Sequence, residues 1–331
     1  MAIVVIAGCA PATPSETPAP TASTVDPTPT PTPSATPEHT IAFGGDCANV
    51  LTVDEVHDLI GDGAYPSALT AGAQPGIGTL GGIDCRWDAD ENGATGPNGV
   101  GSIEIRAAAL STVDSLFVAE VADARCDPWT DSTVCRLGRV VGDVWLMASA
   151  VSGDSETEPH AVLLDSALSS AAGRLAAYPA PVPLAATSGW WTRGSCADLG
   201  VRLGLDAVLG EGYVTGWWEG NPDEQLDFRM TRAQGVEQLC QWFPDYTTET
   251  GRNADAGIIS ATLWPGGGWD ADRLLAGGTA ITVAGAQRAV AGADDPDSVY
   301  ATDGVNAVRV RTADSAASVD IVARILAAQD R

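Results

Sequence analysis

The chain has 331 residues and a formal net charge of -26, with 43 acidic residues against 17 basic residues that are all arginines. Nucleic-acid binding depends on cationic side chains that neutralise phosphate, so this composition excludes nucleic acid as an expected partner. The length suffices for two domains of about 140 residues, each able to bury its own core. No stretch has the roughly eighteen consecutive apolar residues of a membrane-spanning helix.

The N-terminus holds a short apolar run that ends in Ile6-Ala7-Gly8-Cys9. This ending resembles the bacterial lipobox, in which signal cleavage leaves a diacylglyceryl-modified cysteine as the new first residue. The run departs from a complete signal peptide because it is short and lacks a preceding basic segment. The resemblance implies that residues 1–9 are a truncated signal, and that acyl chains on Cys9 anchor the protein to the outer face of the cell membrane. The alternative is a chance Gly-Cys in a disordered tail.

Residues 10–38 are almost entirely proline, threonine, alanine and serine. Repeated proline fixes φ and removes hydrogen-bond donors, so the segment predicts a disordered, extended spacer rather than a packed element. The threonines are candidate O-glycosylation sites. The sequence therefore predicts a stalk that lifts the following domains off the membrane.

Two short patterns recur in the remaining chain. The segment 46–50 (Asp-Cys-Ala-Asn-Val) returns as 195–199 (Ser-Cys-Ala-Asp-Leu), and Cys-Arg-Trp at 85–87 returns as Cys-Gln-Trp at 240–242. The offset between the matched patterns grows slowly, as loop insertions would produce. The preserved order indicates a duplicated domain.

The elements expected after each Cys-x-Trp strand also match. Each copy predicts a second strand, then a hairpin with a two-residue turn, at Gly142-Asp143 in the first copy and at Asp303-Gly304 in the second. A closing helix follows, beginning near Thr157 in the first copy. The apolar stripes of the two closing helices contain Leu164, Leu168, Leu175, Val319, Val322 and Leu326.

The predicted fold class is α+β, with two tandem copies of an antiparallel sheet packed with helices. The domains are expected at residues 39–179 and 190–331. A proline-rich linker at 180–189 is expected to form a semi-rigid hinge between them.

The seven cysteines divide into Cys9 and six in the globular part. Six cysteines allow many connectivities, of which the repeat favours Cys47 with Cys85, Cys196 with Cys240, and Cys126 with Cys135. The last pair has no counterpart in the second copy. Disulfides imply an oxidising, extracytoplasmic compartment. A zinc or redox site is disfavoured because there is no C-x-x-C and the three histidines do not cluster with the cysteines.

The Cys-Ala-x-Leu/Val start, the Cys-x-Trp strand, the lipobox and the Pro/Thr stalk together resemble actinobacterial envelope lipoproteins that carry a domain of unknown function. The layout is also similar to the extracellular sensor domains of mycobacterial receptor kinases. The resemblance implies an envelope location and brings no catalytic residues with it.

Catalytic motifs are missing from the sequence, so no catalytic residue and no cofactor is predicted. There is no nucleophile elbow, H-E-x-x-H or lysine-bearing phosphate loop. Asp88, Asp90 and Asn92 fit the first half of a calcium loop, but its twelfth position is Gly99, so an acidic turn is favoured. Trp87 and Trp242 are expected to pack beside their disulfides.

Six tryptophans are candidate ligand-facing aromatics, with packing between the domains or under loops as the favoured alternative. They are Trp190, Trp191, Trp217, Trp218, Trp264 and Trp269. The predicted function is a non-enzymatic envelope lipoprotein that binds an unidentified ligand or partner protein. The alternatives are a structural protein that contacts cell-wall polymer or another envelope protein and, less favoured, a hydrolase acting on envelope glycans.

Overall fold

The computed structural model describes residues 38–67, 74–90, 96, 99–129, 132–152, 157–205, 213–216, 226–249, 257–293, 295–313 and 315–329. Cys9 and the predicted stalk up to residue 37 lie outside this set, as do Asn92, Trp217 and Trp218. The described residues belong to one compact unit. Among its helices, none combines the length and the apolar character that crossing a bilayer requires.

The predicted α+β class is confirmed, because the described chain forms two antiparallel sheets packed with helices. The first sheet contains β1 Tyr65–Pro66, β2 Ile83–Asp88, β3 Val100–Ala109, β4 Arg125–Trp129, β5 Ser132–Val141 and β6 Val144–Ser152. The second sheet contains β7 Tyr213–Thr215, β8 Gln238–Pro244, β9 Ile259–Trp264, β10 Thr279–Ala280, β11 Arg288–Ala291, β12 Ser298–Thr302 and β13 Ala307–Arg311. The α-helices are α1 Val53–Ile60, α2 Pro75–Thr79, α3 Ser115–Glu120, α4 Thr157–Leu175, α5 Cys196–Leu203, α6 Leu226–Ala233, α7 Ala271–Leu274 and α8 Ser315–Ala328.

The two sheets have the same topology, as a duplication requires. The first has the strand order β1-β2-β3-β6-β5-β4, and the second has the corresponding order β7-β8-β9-β13-β12-β11 with β10 added at its edge. The pairing register also corresponds: Cys85 lies opposite Ile105, and Cys240 lies opposite Ala261. Matched cysteines at matched positions support two copies of one unit, although the domain boundaries stay a prediction.

All three predicted disulfides are present. Cys47 bonds to Cys85 and Cys196 bonds to Cys240, so that in each copy the N-terminal helical segment is tied to the second strand. Cys126 and Cys135 face each other across β4 and β5. Trp87 and Trp242 lie in the same buried clusters as their neighbouring half-cystines, which confirms their expected packing.

The hairpin prediction is correct in the first copy and wrong in the second. Gly142 and Asp143 join β5 to β6 as expected. In the second copy, by contrast, four residues (303–306) separate β12 from β13. The Asp303 carboxylate accepts hydrogen bonds from the backbone N–H of Val305 and of Asn306, which closes a longer loop than the Asp-Gly pair suggested.

A third apolar cluster joins the two halves. Trp145, Met147 and Phe117 from the first half pack with Met230 and Val236 from the second half. Trp145 and Met147 lie on the face of the first sheet that points away from its own core, because successive strand residues point to opposite faces. The halves therefore share a buried apolar joint instead of being separated by the linker alone.

The linker is also held in place. Thr40 and Val182 exchange backbone hydrogen bonds, and the N–H of Leu184 donates to the carbonyl of Thr79 over 2.8 Å. The segment predicted as a hinge is thus paired with the first half along part of its length.

Candidate functional site

A pocket of about 530 Å³ lies beside the Cys47–Cys85 disulfide. Its lining is largely apolar, with Leu51 and Val56 on the helical side, Pro66 on the edge strand, and Trp87 on β2. Small-molecule sites are typically concave, mostly apolar and about 300–1,000 Å³ in volume. The pocket has the size and the surface of such a site.

A break in the N-terminal helical segment creates one wall of this pocket. In the first copy a short 3-10 turn, Cys47–Asn49, stops before Thr52, whose hydroxyl accepts from the N–H of Glu55 and begins α1 as a capping box. In the second copy the corresponding segment is the continuous helix α5. The same duplicated segment therefore forms a 3-10 turn and a separate helix in the first copy, and one continuous helix in the second.

The residue at the break accounts for part of this difference. Relative to the shared cysteine, Leu51 occupies the position of Gly200 in the second copy. A Cβ atom at Gly200 would lie 2.7 Å from Nε1 of Trp242, so the absent side chain lets α5 pack directly on that ring. Leu51 needs space for its side chain, and it lies at the pocket wall.

Polar groups stand at the pocket margin. Asp46, His57 and Arg86 contribute to the lining. Arg86 alternates with Trp87 along β2, so its side chain points to the opposite face of the sheet, where its guanidinium donates to the carboxylate of Asp88 over 2.9 Å. A carboxylate and an imidazole beside an apolar cavity suit a ligand that has an apolar body and a polar group that forms hydrogen bonds.

A second candidate is a buried acid–arginine cluster on the opposite face of the first sheet. The Arg106 guanidinium donates to Asp84 over 2.9 Å and to Glu104 over 2.5 Å, and the Ser149 hydroxyl donates to Glu104 over 3.1 Å. Asp84 is 5% exposed and Arg106 is 8% exposed. Oδ1 of Asp84 has no hydrogen-bond partner within the described residues.

The two carboxyl groups of this cluster ionise differently. Burial raises the pKa of Asp84 well above its ordinary value; Arg106 opposes this shift and the charge of Glu104 adds to it. Burial also disfavours the charged form of Glu104, but the Arg106 charge and hydrogen bonds from Asp84 and Ser149 outweigh it and lower the pKa of Glu104. Asp84 therefore favours its protonated form, and Glu104 carries the negative charge.

We expect Asp84→Asn to remove a pH-dependent loss of stability. Because the pKa of Asp84 is higher in the folded state than its ordinary 3.8, the native state binds the extra proton, and the free energy of unfolding falls as pH rises from about 4 through the raised value. The asparagine amide can still donate to Glu104 and does not ionise. Urea unfolding of both proteins at a series of pH values measures the difference.

The control for this prediction is Asp58→Asn on α1, a position outside the cluster. It should give the same pH profile as the unchanged protein. If the free energies of unfolding of the unchanged protein and of Asp84→Asn change in parallel as pH rises from about 4, Asp84 does not retain its proton on folding.

The candidate tryptophans divide by location. Trp191 and Trp264 are 4% and 6% exposed, and their indole N–H groups donate to Asp303 and Glu237, so the structure places both rings in the interior. Trp190 packs partly buried against the joint between the halves. Trp269 is also partly buried, and its N–H donates to Thr79 of the first half over 2.9 Å. These positions agree with the alternative of packing at the joint.

The calcium candidate does not gain support. The carboxylate of Asp88 is engaged by Arg86, and Asn92 lies outside the described residues. Within the described chain, one group of three histidine, cysteine or acidic side chains is close enough to hold a metal ion, and it contains neither Asp88 nor Asp90.

Sequence reasoning missed both the pocket and the buried cluster. The alternation of Asp84 with Arg86, and of Glu104 with Arg106, was a usable signal, because it places opposite charges on one face of adjacent strands. The pocket had no comparable signal, since it depends on where a helix breaks.

Comparison of the chain with protein-family profiles, with curated proteins and with solved structures finds no significant match.

Proposed function

We propose that this chain is a non-enzymatic ligand-binding protein of the bacterial cell envelope, anchored outside the membrane by a lipid on Cys9. The observation that carries the proposal is the apolar pocket of about 530 Å³ beside the first disulfide. The three disulfides support an extracytoplasmic location, because such bonds persist in oxidising compartments.

The ligand class follows from the pocket lining. Apolar side chains favour a compact hydrophobic body, and the His57 imidazole in the lining favours a polar group that can form a hydrogen bond with it. A small amphiphile has both features. Binding would bury the apolar body and leave the polar group beside the imidazole.

The pocket can be tested with a fluorescent naphthalene sulfonate, which combines an apolar body with a polar group. We expect saturable binding of the dye by the full-length protein, and a loss of at least about tenfold in affinity for Ala48→Trp, because the larger ring would occupy the pocket volume that Ala48 borders. The fluorescence of the directly excited dye, followed through a titration, measures the affinity.

The duplication supplies a matched control. Ala197 occupies the position of Ala48 in the second copy, and both side chains are exposed. Ala197→Trp should therefore leave dye affinity unchanged. Equal affinity in the two variants, with both folded by circular dichroism, would refute binding in this pocket. If the two variants differ as expected, native mass spectrometry of protein purified from its source should identify a bound amphiphile.

A further inference from the structure

The Cys126–Cys135 disulfide lies close to a histidine of the helix that covers the sheet. One ligand atom from each of Cys126, Cys135 and His160 lies within 4.8 Å of the others. Cys135 is fully buried, His160 is 2% exposed, and Cys126 is partly buried. Two sulfur atoms and one imidazole nitrogen therefore lie close together, so the prediction that no histidine clusters with the cysteines is wrong for His160.

The fold brings these three groups together from separate elements. The cysteines face each other on the adjacent strands β4 and β5, with their Cα atoms 3.9 Å apart. His160 belongs to the first turns of α4, which packs against the same sheet. The second copy has no cysteines besides Cys196 and Cys240, so the arrangement is specific to the first copy.

Solvent reaches the histidine through a cavity. A pocket of about 310 Å³ is lined by His160 together with Asp58, Ser166 and the exposed Val162. A metal ion needs such a route to an otherwise buried set of ligands. The pocket is separate from the apolar pocket beside the first disulfide.

We propose that reduction of Cys126–Cys135 converts this cluster into a site for a thiophilic divalent metal ion, with Cys126, Cys135 and His160 as ligands. Reduction by a dithiol adds two electrons and two protons to the disulfide and leaves the dithiol as its own disulfide. Metal binding then displaces the two thiol protons, so that two thiolates and a neutral imidazole hold the ion.

The ligand set suits zinc. Zinc bonds of about 2.3 Å to sulfur and about 2.0 Å to nitrogen place the ligand atoms of a tetrahedral site roughly 3.5–4 Å apart. After reduction, side-chain rotation must therefore separate the two sulfurs, which are bonded in the oxidised protein, and bring the imidazole nitrogen to that distance. Three protein ligands leave a fourth position for water or for another donor. The oxidised protein cannot supply the two thiolates, so the site depends on the redox state.

Zinc and cobalt binding to the full-length protein test this site, in a Cys9→Ser background that removes the one cysteine outside the three disulfides. A phosphine reductant is added in limiting amounts, and alkylation with peptide mapping identifies the disulfide that opens. We expect one Zn²⁺ per chain by native mass spectrometry only after Cys126–Cys135 opens. Co²⁺ should give a sulfur-to-cobalt charge-transfer band.

Two variants decide the ligand assignment. His160→Gln should weaken Zn²⁺ binding at least about tenfold, whereas His57→Gln, on the wall of the other pocket, should leave it unchanged. The double change Cys126→Ser/Cys135→Ser should abolish both the binding and the cobalt band. The proposal fails if the oxidised protein binds Zn²⁺ equally well, if binding occurs with Cys126–Cys135 intact, if the reduced protein binds none, or if folded His160→Gln retains the full affinity.

Discussion

Replacing both cysteines of the Cys47–Cys85 bridge by alanine is expected to lower the free energy of unfolding by about 4 kcal/mol. The bridge closes a loop with a sequence separation of 38 residues, and cross-links of this length restrict the unfolded chain by about that amount on the loop-entropy model. The equivalent change at Cys196–Cys240, with a separation of 44, should have nearly the same effect. Urea unfolding without reductant measures both losses.

The third disulfide serves as the internal control for loop length. Cys126 and Cys135 are 9 residues apart, for which the same model gives a smaller loss of roughly 2.5 kcal/mol. The order of the three losses is the decisive result. A loss for the short bridge that equals or exceeds the other two would contradict the loop-length explanation, and free thiols at Cys47 or Cys240 in the unchanged protein would contradict the pairing itself.

The duplication could be predicted because covalent and aromatic anchors constrain a fold strongly. A cysteine at the start of a helical segment and a Cys-x-Trp strand about forty residues later leave few ways to close a disulfide, and the same pair occurs twice. The apolar stripe of α4 was equally informative: Leu164, Leu168 and Leu175 are all buried. Such patterns depend on local spacing, which the sequence displays directly.

The second hairpin shows what local spacing misses. Asp303-Gly304 has the composition of a two-residue turn, but the loop is controlled by Asn306, which is fully buried. The Asn306 side-chain oxygen accepts from the backbone N–H of Trp191 and of Gly266, each over 3.0 Å. These partners are distant in sequence, so no dipeptide rule could include them.

The burial of the acid–arginine cluster was unpredictable for a related reason. Sequence alternation shows that Asp84 and Arg106 share a face of the first sheet, but it does not show that the face is covered. In the structure the face is covered, because Asp84 is 5% and Arg106 is 8% exposed. Burial, and with it the altered ionisation of Asp84, depends on tertiary packing, which the alternation of charges does not reveal.

Replacing Arg106 by methionine has an expected cost of about 3–5 kcal/mol, because it leaves the buried Glu104 without its cation. The triple change Asp84→Asn/Glu104→Gln/Arg106→Met removes every charge of the cluster and should recover much of that loss, since the neutral set has no buried charge to compensate. Arg139→Met is the matched surface control: its ion pair with Asp165 is largely exposed, so the loss should stay below about 1 kcal/mol. Chemical unfolding at pH 7 compares the three variants. Equal stability of Arg106→Met and Arg139→Met would contradict the burial of the cluster. A triple variant less stable than Arg106→Met alone would show that the carboxylate charges left by Arg106→Met are not the source of its lost stability.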